Sequence, residues 1–591
     1  MRQTTFSSRI DLAFWCSLAA VVAIVLAKAV VAAPQIHDNL SLLDNDSVMR
    51  LISIQNWLGG QGWFDTVEYR LVPPEGVLMH WSRYIDALIG GLFLAFSLVF
   101  PNDLALTIAL TAWPTLLALV LIVVVGFGTR RLIGPDAACF AMLCAMMWPF
   151  TSNFYFLPGR IDHHNVQVLM IVLITFAIIW PDQPIRSGLV AGVAAAFALA
   201  IGLETLPYIL LAGALLFVRA NLGLSPTADR LLVVFCVSLG LASVAFWLGQ
   251  TPQTRLALPV CDQLGLPVLS LIAIAAVASI LPMLLLSGRV FLRLGLGVAL
   301  IALGCVVAWP LLGPCLAGPY GALPQQVQDI IRFGIVEAQP GLIYAQNNAF
   351  SYISMGLPVA GSLAVAGYFW RRMDKASRVD CQKRDIVGQL LILCIIGVLA
   401  SFSQIRLLLM SAGALPVLVG FGLAALLQRY MQARTIGDAA MLIGVGVLLI
   451  SPSMLEAPIK SALQSDQTVR TAMDHSCRKD EALAPLNALP TGIFLTPMNL
   501  GPVLMLRTHH KSLSGPYHRS PAAFANGYLP FEMPEAKLKS YIENTNATHL
   551  LLCGGTTYDV GFARDLVEGA TADWLIPVNV DAGDLMIFEI K

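Results

Sequence analysis

Charge is what this sequence has least of. Only 12% of its 591 residues are Asp, Glu, Lys or Arg, against 57% hydrophobic. Soluble domains carry roughly 25% charge, so composition excludes an ordinary soluble chain, and a mean hydropathy of +0.74 agrees. Neither sign is in excess: 36 basic residues match 36 acidic ones. A basic bias toward nucleic acid is therefore missing. The eleven cysteines include no CxxC pair, which leaves no sign of a redox or zinc-ribbon motif. No internal repeat or low-complexity segment stands out.

What is present is apolar length. Spans are expected near 12–33, 105–128, 136–151, 165–181, 187–203, 205–218, 232–250, 266–287, 294–313, 355–370, 386–403, 405–427 and 438–452, most of them near the length that crosses a bilayer. Arg2 and Arg9 precede an apolar stretch from Leu12 past Val31. That stretch is longer than a signal-peptide core, so it reads as a retained first helix.

Basic residues set the parity. Arg130 and Arg131, Arg186, Arg219 and Arg230, and Arg289 and Arg293 fall in alternate loops. So do Arg371, Arg372, Lys375, Arg378, Lys383 and Arg384, and then Arg429 and Arg434. All are cytoplasmic if the N-terminus is inside. The count requires that 82–100 does not cross. That stretch follows His80-Trp81 and carries Ser82, Arg83 and Asp86, which suits a helix lying at the interface. About thirteen spans then divide the chain into a transmembrane domain, 1–452, and a periplasmic tail, 453–591. Short apolar runs at Ile493–Leu495 and His549–Leu552 read as strands of a small α/β domain. The segments 34–104 and 314–354 and the turns 152–164 and 251–265 are external as well. Seven cysteines fall in membrane or cytoplasmic segments, where packing suffices to explain them. Cys261, Cys315, Cys477 and Cys553 fall outside, where a Cys477–Cys553 disulfide is one option.

Three polar motifs share the external face. They are Asp44-Asn45-Asp46-Ser47-Val48-Met49-Arg50, Pro158-Gly159-Arg160-Ile161-Asp162-His163-His164-Asn165 and Gly334-Ile335-Val336-Glu337. A single Asp after a helix is usually a solvated cap, and a loop glutamate needs no special reason. Asp162-His163-His164 is rarer, because ionisable groups opening a membrane span are costly and tend to be functional. Carboxylates with one imidazole and open water positions suit octahedral Mg²⁺ or Mn²⁺. A transporter would instead set polar groups at mid-membrane, often in inverted repeats.

This pattern resembles the catalytic subunit of oligosaccharyltransferase, especially the archaeal form, within the C-type membrane glycosyltransferases. The motifs are Asn45-Asp46 with Arg50, Gly159-Arg160-Ile161-Asp162-His163-His164, and Val336-Glu337. The resemblance implies a divalent metal on Asp46, Asp162 and His164, with Asp46 and Glu337 as catalytic carboxylates. It implies a polyprenyl-(pyro)phosphate sugar donor held by Arg406, with His163 and Arg50 beside it. Arg406 has a rival reading as a snorkelling end residue. A bacterial inner-membrane enzyme with a periplasmic active site is expected. Members that glycosylate protein carry Trp-Trp-Asp in the external domain, and this sequence has none. The acceptor is therefore expected to be a membrane lipid or envelope glycan, met by Tyr517, His518 and Arg519. Thr508-His509-His510 and Gly515-Pro516-Tyr517-His518-Arg519 could bind sugar or phosphate or could be structural turns, the turn being slightly favoured. A protein acceptor is the first alternative and a lipid or glycan transporter the second.

Overall fold

The computed structural model describes residues 2–40, 43–180, 182–224, 227–286, 288–374, 377–452, 476–555 and 558–591. Lys375 and the first stretch of the expected tail, 453–475, lie outside the described residues.

The membrane domain contains α1 (Arg2–Asp38), α4 (Asn102–Leu132), α5 (Pro135–Met147), α6 (His164–Ile179), α7 (Pro184–Ile201), α8 (Leu206–Asn221), α9 (Ala228–Gln250), α10 (Leu266–Leu285) and α11 (Val290–Val307). It continues with Ala349–Arg372, Arg378–Ser401, Leu415–Ala433 and Ile436–Ile450. Two further helices, α2 (Asn45–Leu58) and α3 (Arg83–Ser97), precede α4. Among the described residues nine helices are long and apolar enough to cross a membrane. A tenth is the bent pair Ile405–Gly413 and Leu415–Ala433, if its two limbs, set at 61°, are one span. Three more of the expected spans are apolar but shorter: Pro135–Met147, His164–Ile179 and Ile436–Ile450. The chain is a multi-pass helical membrane protein.

Two expected spans end differently for local reasons. The span expected at 136–151 leaves the helix at Trp148, whose ψ is 132°. Pro149 follows, and the residue before a proline is pushed out of the α region. The span expected at 405–427 opens with a 3-10 stretch, Ile405–Gly413, before the α-helix starts with Pro416 in its first turn. As expected, 83–97 forms a helix of 15 residues.

Ion pairs join the basic ends of the bundle. Arg130 meets Asp11, Arg131 meets Asp182, Arg219 meets Asp385 and Arg429 meets Asp438. The first two pairs bring the N-terminal helix, the end of α4 and the loop after α6 together. Two disulfides are present, Cys261–Cys315 and Cys477–Cys553. The second is the pairing considered from sequence; the first joins the turn 251–265 to the long loop 314–354.

The tail forms a mixed five-stranded sheet. Short strands β1 (Val67–Glu68) and β2 (Val77–Leu78) belong to the first external segment. The tail adds β3 (Ile493–Leu495), β4 (Lys511–Ser512), β5 (His549–Cys553), β6 (Leu575–Pro577) and β7 (Leu585–Ile590), in the order β4-β3-β5-β7-β6. Strands β3, β4 and β5 run parallel, while β7 is antiparallel to β5 and β6. Leu71 bridges Ser512, so the first external segment extends the edge at β4. One apolar core holds Val48, Met49 and Ile52 of α2 with Phe494, Leu504 and Tyr517 of the tail. Burying a common face this way fixes α2, and with it the Asp44–Asp46 segment, against the tail.

Candidate active site at the external face

The first motif is set by a helix cap. Asp44 is the N-cap of α2, its carboxylate accepting from Ser47 N at 3.1 Å. Asp46 then falls in the first turn, where the helix dipole favours negative charge. The tail grips the same turn: Tyr517 Oη donates to the Asn45 carbonyl at 3.0 Å, and Asn45 Nδ2 to Asn499 Oδ1 at 2.7 Å.

The second motif is tied to the first. Ile161 N donates to Ser47 Oγ at 3.1 Å, and Arg160 lies 3.3 Å from Asp44 Oδ2. Gly159 has φ +88°, and a Cβ there would stand 2.6 Å from Leu43. Only glycine suits both that backbone and that crowding. Asp162 Oδ1 accepts from His164 N at 3.0 Å. The His164 ring stacks between Tyr155, at 4.7 Å, and His163, at 4.4 Å.

The third motif reaches the same place. Glu337 lies in a single 3-10 turn, Val336–Ala338, and its Oε1 is 3.6 Å from Arg406. Arg406 also donates to Tyr320 Oη at 3.0 Å and to Gln404 Oε1 at 3.1 Å. Ile405 N donates to the Gln339 carbonyl at 2.8 Å, which pins the loop to the segment bearing Arg406.

These residues surround one cavity of about 340 Å³, roofed by the tail. Asp46, Asp162, His163, His164, Glu337 and Arg406 line it, and so do Tyr517 and His518 on the tail side. A second, more apolar space of about 290 Å³ shares Arg160, Glu337 and Arg406 with it. Its other walls include Phe150, Phe154, Tyr344, Met355 and Ile405.

The electrostatics ask for a cation. Burial pushes the Asp46 carboxyl up to about 7, and the neighbouring Asp44, Glu337 and Asp162 push it the same way. Burial alone would raise Asp162 as well, but His164 and Arg160 outweigh it and hold Asp162 below its ordinary value. His164 Nδ1 lies 3.5 Å from Asp162 Oδ1, but neither ring nitrogen makes a hydrogen bond, although the residue is 2% exposed. Buried polar atoms are nearly always partnered. His163, His164 and Glu204 place ligand atoms within 4.8 Å of one another and could hold a metal ion, whereas Asp46 and Asp162 line the same cavity without forming such a group with His164.

Two residues expected at the site are turned away from it. Arg50 does not line the cavity. It is buried under Trp81, 4.9 Å from the ring, and its Nη1 donates to Asp86 at 2.8 Å. The carboxylate of α3 captures it, so it braces α2 against α3. Arg519 forms a two-pronged pair with Asp262, at 2.7 and 2.8 Å, so its fork is used inside the protein. The His510 ring is used inside the tail: it accepts from Gly492 N and meets the Leu486 carbonyl.

Sequence reasoning missed several lining residues, among them His80, Trp81, Glu204 and Tyr320. Glu204 follows the break between α7 and α8 at Gly202. It accepts from Gln167 Nε2 at 2.8 Å and lies 3.7 Å from His163. A glutamate between two apolar spans was a signal that could have found it. His80 and Trp81 carried no such signal.

No known protein family and no curated protein matches the sequence. Solved structures do match the fold. The archaeal oligosaccharyltransferase AglB from Archaeoglobus fulgidus, in complex with an inhibitory peptide and a dolichol-phosphate, aligns with TM-score 0.62 and 14% identity over 95% of this chain and 75% of that one. Its apo form gives 0.61 and 16% over the same shares. Its complex with Zn and sulfate gives 0.53 and 16%, over 90% and 68%. The chain has the fold of that oligosaccharyltransferase.

Proposed function

We propose that this protein is a metal-dependent glycosyltransferase, moving a sugar or oligosaccharide from a polyprenyl-(pyro)phosphate donor to a lipid or envelope-glycan acceptor. The reaction takes place at the periplasmic face of a bacterial inner membrane. The observation that carries this reading is the convergence of Asp46, Asp162, His164, Glu337 and Arg406 on one cavity at one face of the bundle. The archaeal relative of like fold has been solved with dolichol-phosphate and with Zn and sulfate, which supports a lipid-phosphate donor and a divalent ion. The two disulfides favour an oxidising compartment for this face.

Asp46, Asp162 and His164 would hold a divalent ion such as Mg²⁺ or Mn²⁺. When bound, it supplies positive charge that neutralises a leaving phosphate or orients the acceptor. Arg406 donates its planar fork to the donor phosphate, a geometry suited to paired oxygens. For that, Arg406 exchanges its present contact with Glu337 for the phosphate. The polyprenyl chain lies in the apolar space walled by Phe150, Phe154, Tyr344, Met355 and Ile405. Glu337 or Asp46 takes or orients the acceptor proton, and His163 stacks behind His164 to fix its ring. Tyr517 and His518, with Trp81, give the acceptor an aromatic wall.

The test offers a labelled lipid-linked donor together with either a sequon peptide or extracted envelope lipid. Labelled lipid or glycan that requires metal and Asp162 is the expected result. Efficient labelling of the peptide, lost when its Thr is replaced by Val, would make the acceptor a protein. No transfer to either would remove the reading.

A further inference from the structure

On the roof of the cavity, three chain segments bring together ligands of a different kind. His80 comes from the first external segment, Asp262 from the turn 251–265 and His518 from the tail. The ring nitrogens of both histidines and a carboxylate oxygen of Asp262 all lie within 4.8 Å of one another. His518 Nε2 is 3.0 Å from Asp262 Oδ2, and the two imidazole rings are 4.4 Å apart. We propose that His80, Asp262 and His518 form a second metal site, for a borderline ion of the zinc class, distinct from the site of Asp46, Asp162 and His164.

The spacing suits such an ion. Two ligand atoms bound tetrahedrally at about 2.0–2.1 Å stand roughly 3.4 Å apart, close to the His518–Asp262 separation. The surroundings choose the ion class. Arg519 occupies the same carboxylate through both of its oxygens. Its positive charge offsets that of Asp262, so a hard ion held by carboxylate charge alone gains little. Two imidazole nitrogens remain, and imidazole suits zinc, copper, iron and nickel, whereas carboxylate and water suit magnesium and manganese. Arg519 then acts as the outer partner that orients a ligating carboxylate, a role such sites commonly contain. Gln263 Oε1 accepts from Arg519 at 2.8 Å and steadies it.

The site has two consequences. Cross-linking three segments, it fastens the tail over the cavity next to the Cys261–Cys315 disulfide. A three-ligand site also keeps a fourth position open, and His80 and His518 both line the cavity. An oxygen of a bound acceptor is the group that position would take. Tyr320 packs edge-on against His518, 5.3 Å between ring centres, and accepts from Arg406. The roof site is thereby joined to the Glu337–Arg406 pair.

The experiment uses the full chain, purified in detergent, stripped with a chelator and titrated with Co²⁺. Four-coordinate cobalt absorbs visible light far more strongly than six-coordinate cobalt, so the two sites are read separately. Strong bands are expected in the unaltered protein and in Asp162→Asn, with loss in His80→Gln and in His518→Gln. Zn²⁺ content by elemental mass spectrometry should fall in the same two variants. His80 lies outside the tail, so a misfolded tail does not account for its effect. Each metal-free variant should melt within a degree or two of the metal-free parent, about the scale of a negligible perturbation. Strong bands that survive His80→Gln, or that vanish in Asp162→Asn, would overturn the assignment. So would the lack of strong bands in the unaltered protein. None of these readouts depends on the proposed glycosyl transfer.

Discussion

Replacing Asp86 by Ala tests why Arg50 is where it is. Asp86 accepts from Arg50 at 2.8 Å and from Arg83 at 3.1 Å, and all three side chains are 3% exposed or less. The two arginines are not equally dependent on it. Arg83 also donates to the Ser53 carbonyl, Gln61 Oε1 and the Asp65 carbonyl. Arg50 Nε and Nη2 have no hydrogen-bond partner, so Asp86 and the face of Trp81 are what hold it. Asp86→Ala strands a buried guanidinium, and breaking a buried pair costs about 3–5 kcal/mol. At 1.4 kcal/mol per tenfold, α2 amides should exchange roughly 100- to 4,000-fold faster. Replacing a whole buried pair by apolar groups is often close to neutral, so Asp86→Ala with Arg50→Leu should recover most of the protection. Hydrogen exchange over Val48–Leu58 in nanodiscs is the assay. Unchanged exchange in Asp86→Ala would refute the reasoning, as would a double variant as labile as the single one. The same pair of proteins separates bracing from donor binding. A contact between Arg50 and the donor phosphate would raise donor KM in every Arg50→Leu background, whereas a brace leaves KM unchanged once the double variant is stable.

Three other outcomes are expected. Asp162→Asn should weaken metal-dependent turnover by at least the roughly 10–100-fold that a lost outer partner costs, measured against metal concentration; full activity would remove Asp162 from the metal set. Arg406→Lys keeps the charge and loses the fork. A charged hydrogen bond is worth about 1.5–3 kcal/mol, so donor kcat/KM should fall about 10- to 100-fold, and an unchanged value would make Arg406 a membrane-end anchor. The loop 314–354 packs on the tail through Val327, Ile330, Ile331 and Phe524. If it closes over the donor, protease cleavage between Leu323 and Ile343 slows when donor and metal are added; equal rates would count against a lid.

Hydrophobic length is a local property, so the sequence alone was enough to find the membrane bundle and the helix at 83–97. Contiguous motifs were equally legible: Asp46, Asp162-His163-His164, Glu337 and Arg406 all reach one cavity, because each is carried by a loop or helix end at the same face. The strand runs at Ile493–Leu495 and His549–Leu552 were legible for the same reason, the second extending one residue further, to Cys553. Direction was not legible. Arg50 lies one helical turn from Asp46, yet Asp86, 36 residues on, decides where its guanidinium goes. Arg519 is adjacent to His518, yet Asp262, 257 residues away, takes its fork. The membership of the roof, His80 with Asp262 and His518, also depends on three distant segments meeting. A side chain's partner is set by whichever opposite charge the packed structure brings within reach of it. In a low-dielectric interior a buried charge must find such a partner, and only the tertiary structure determines which one it finds.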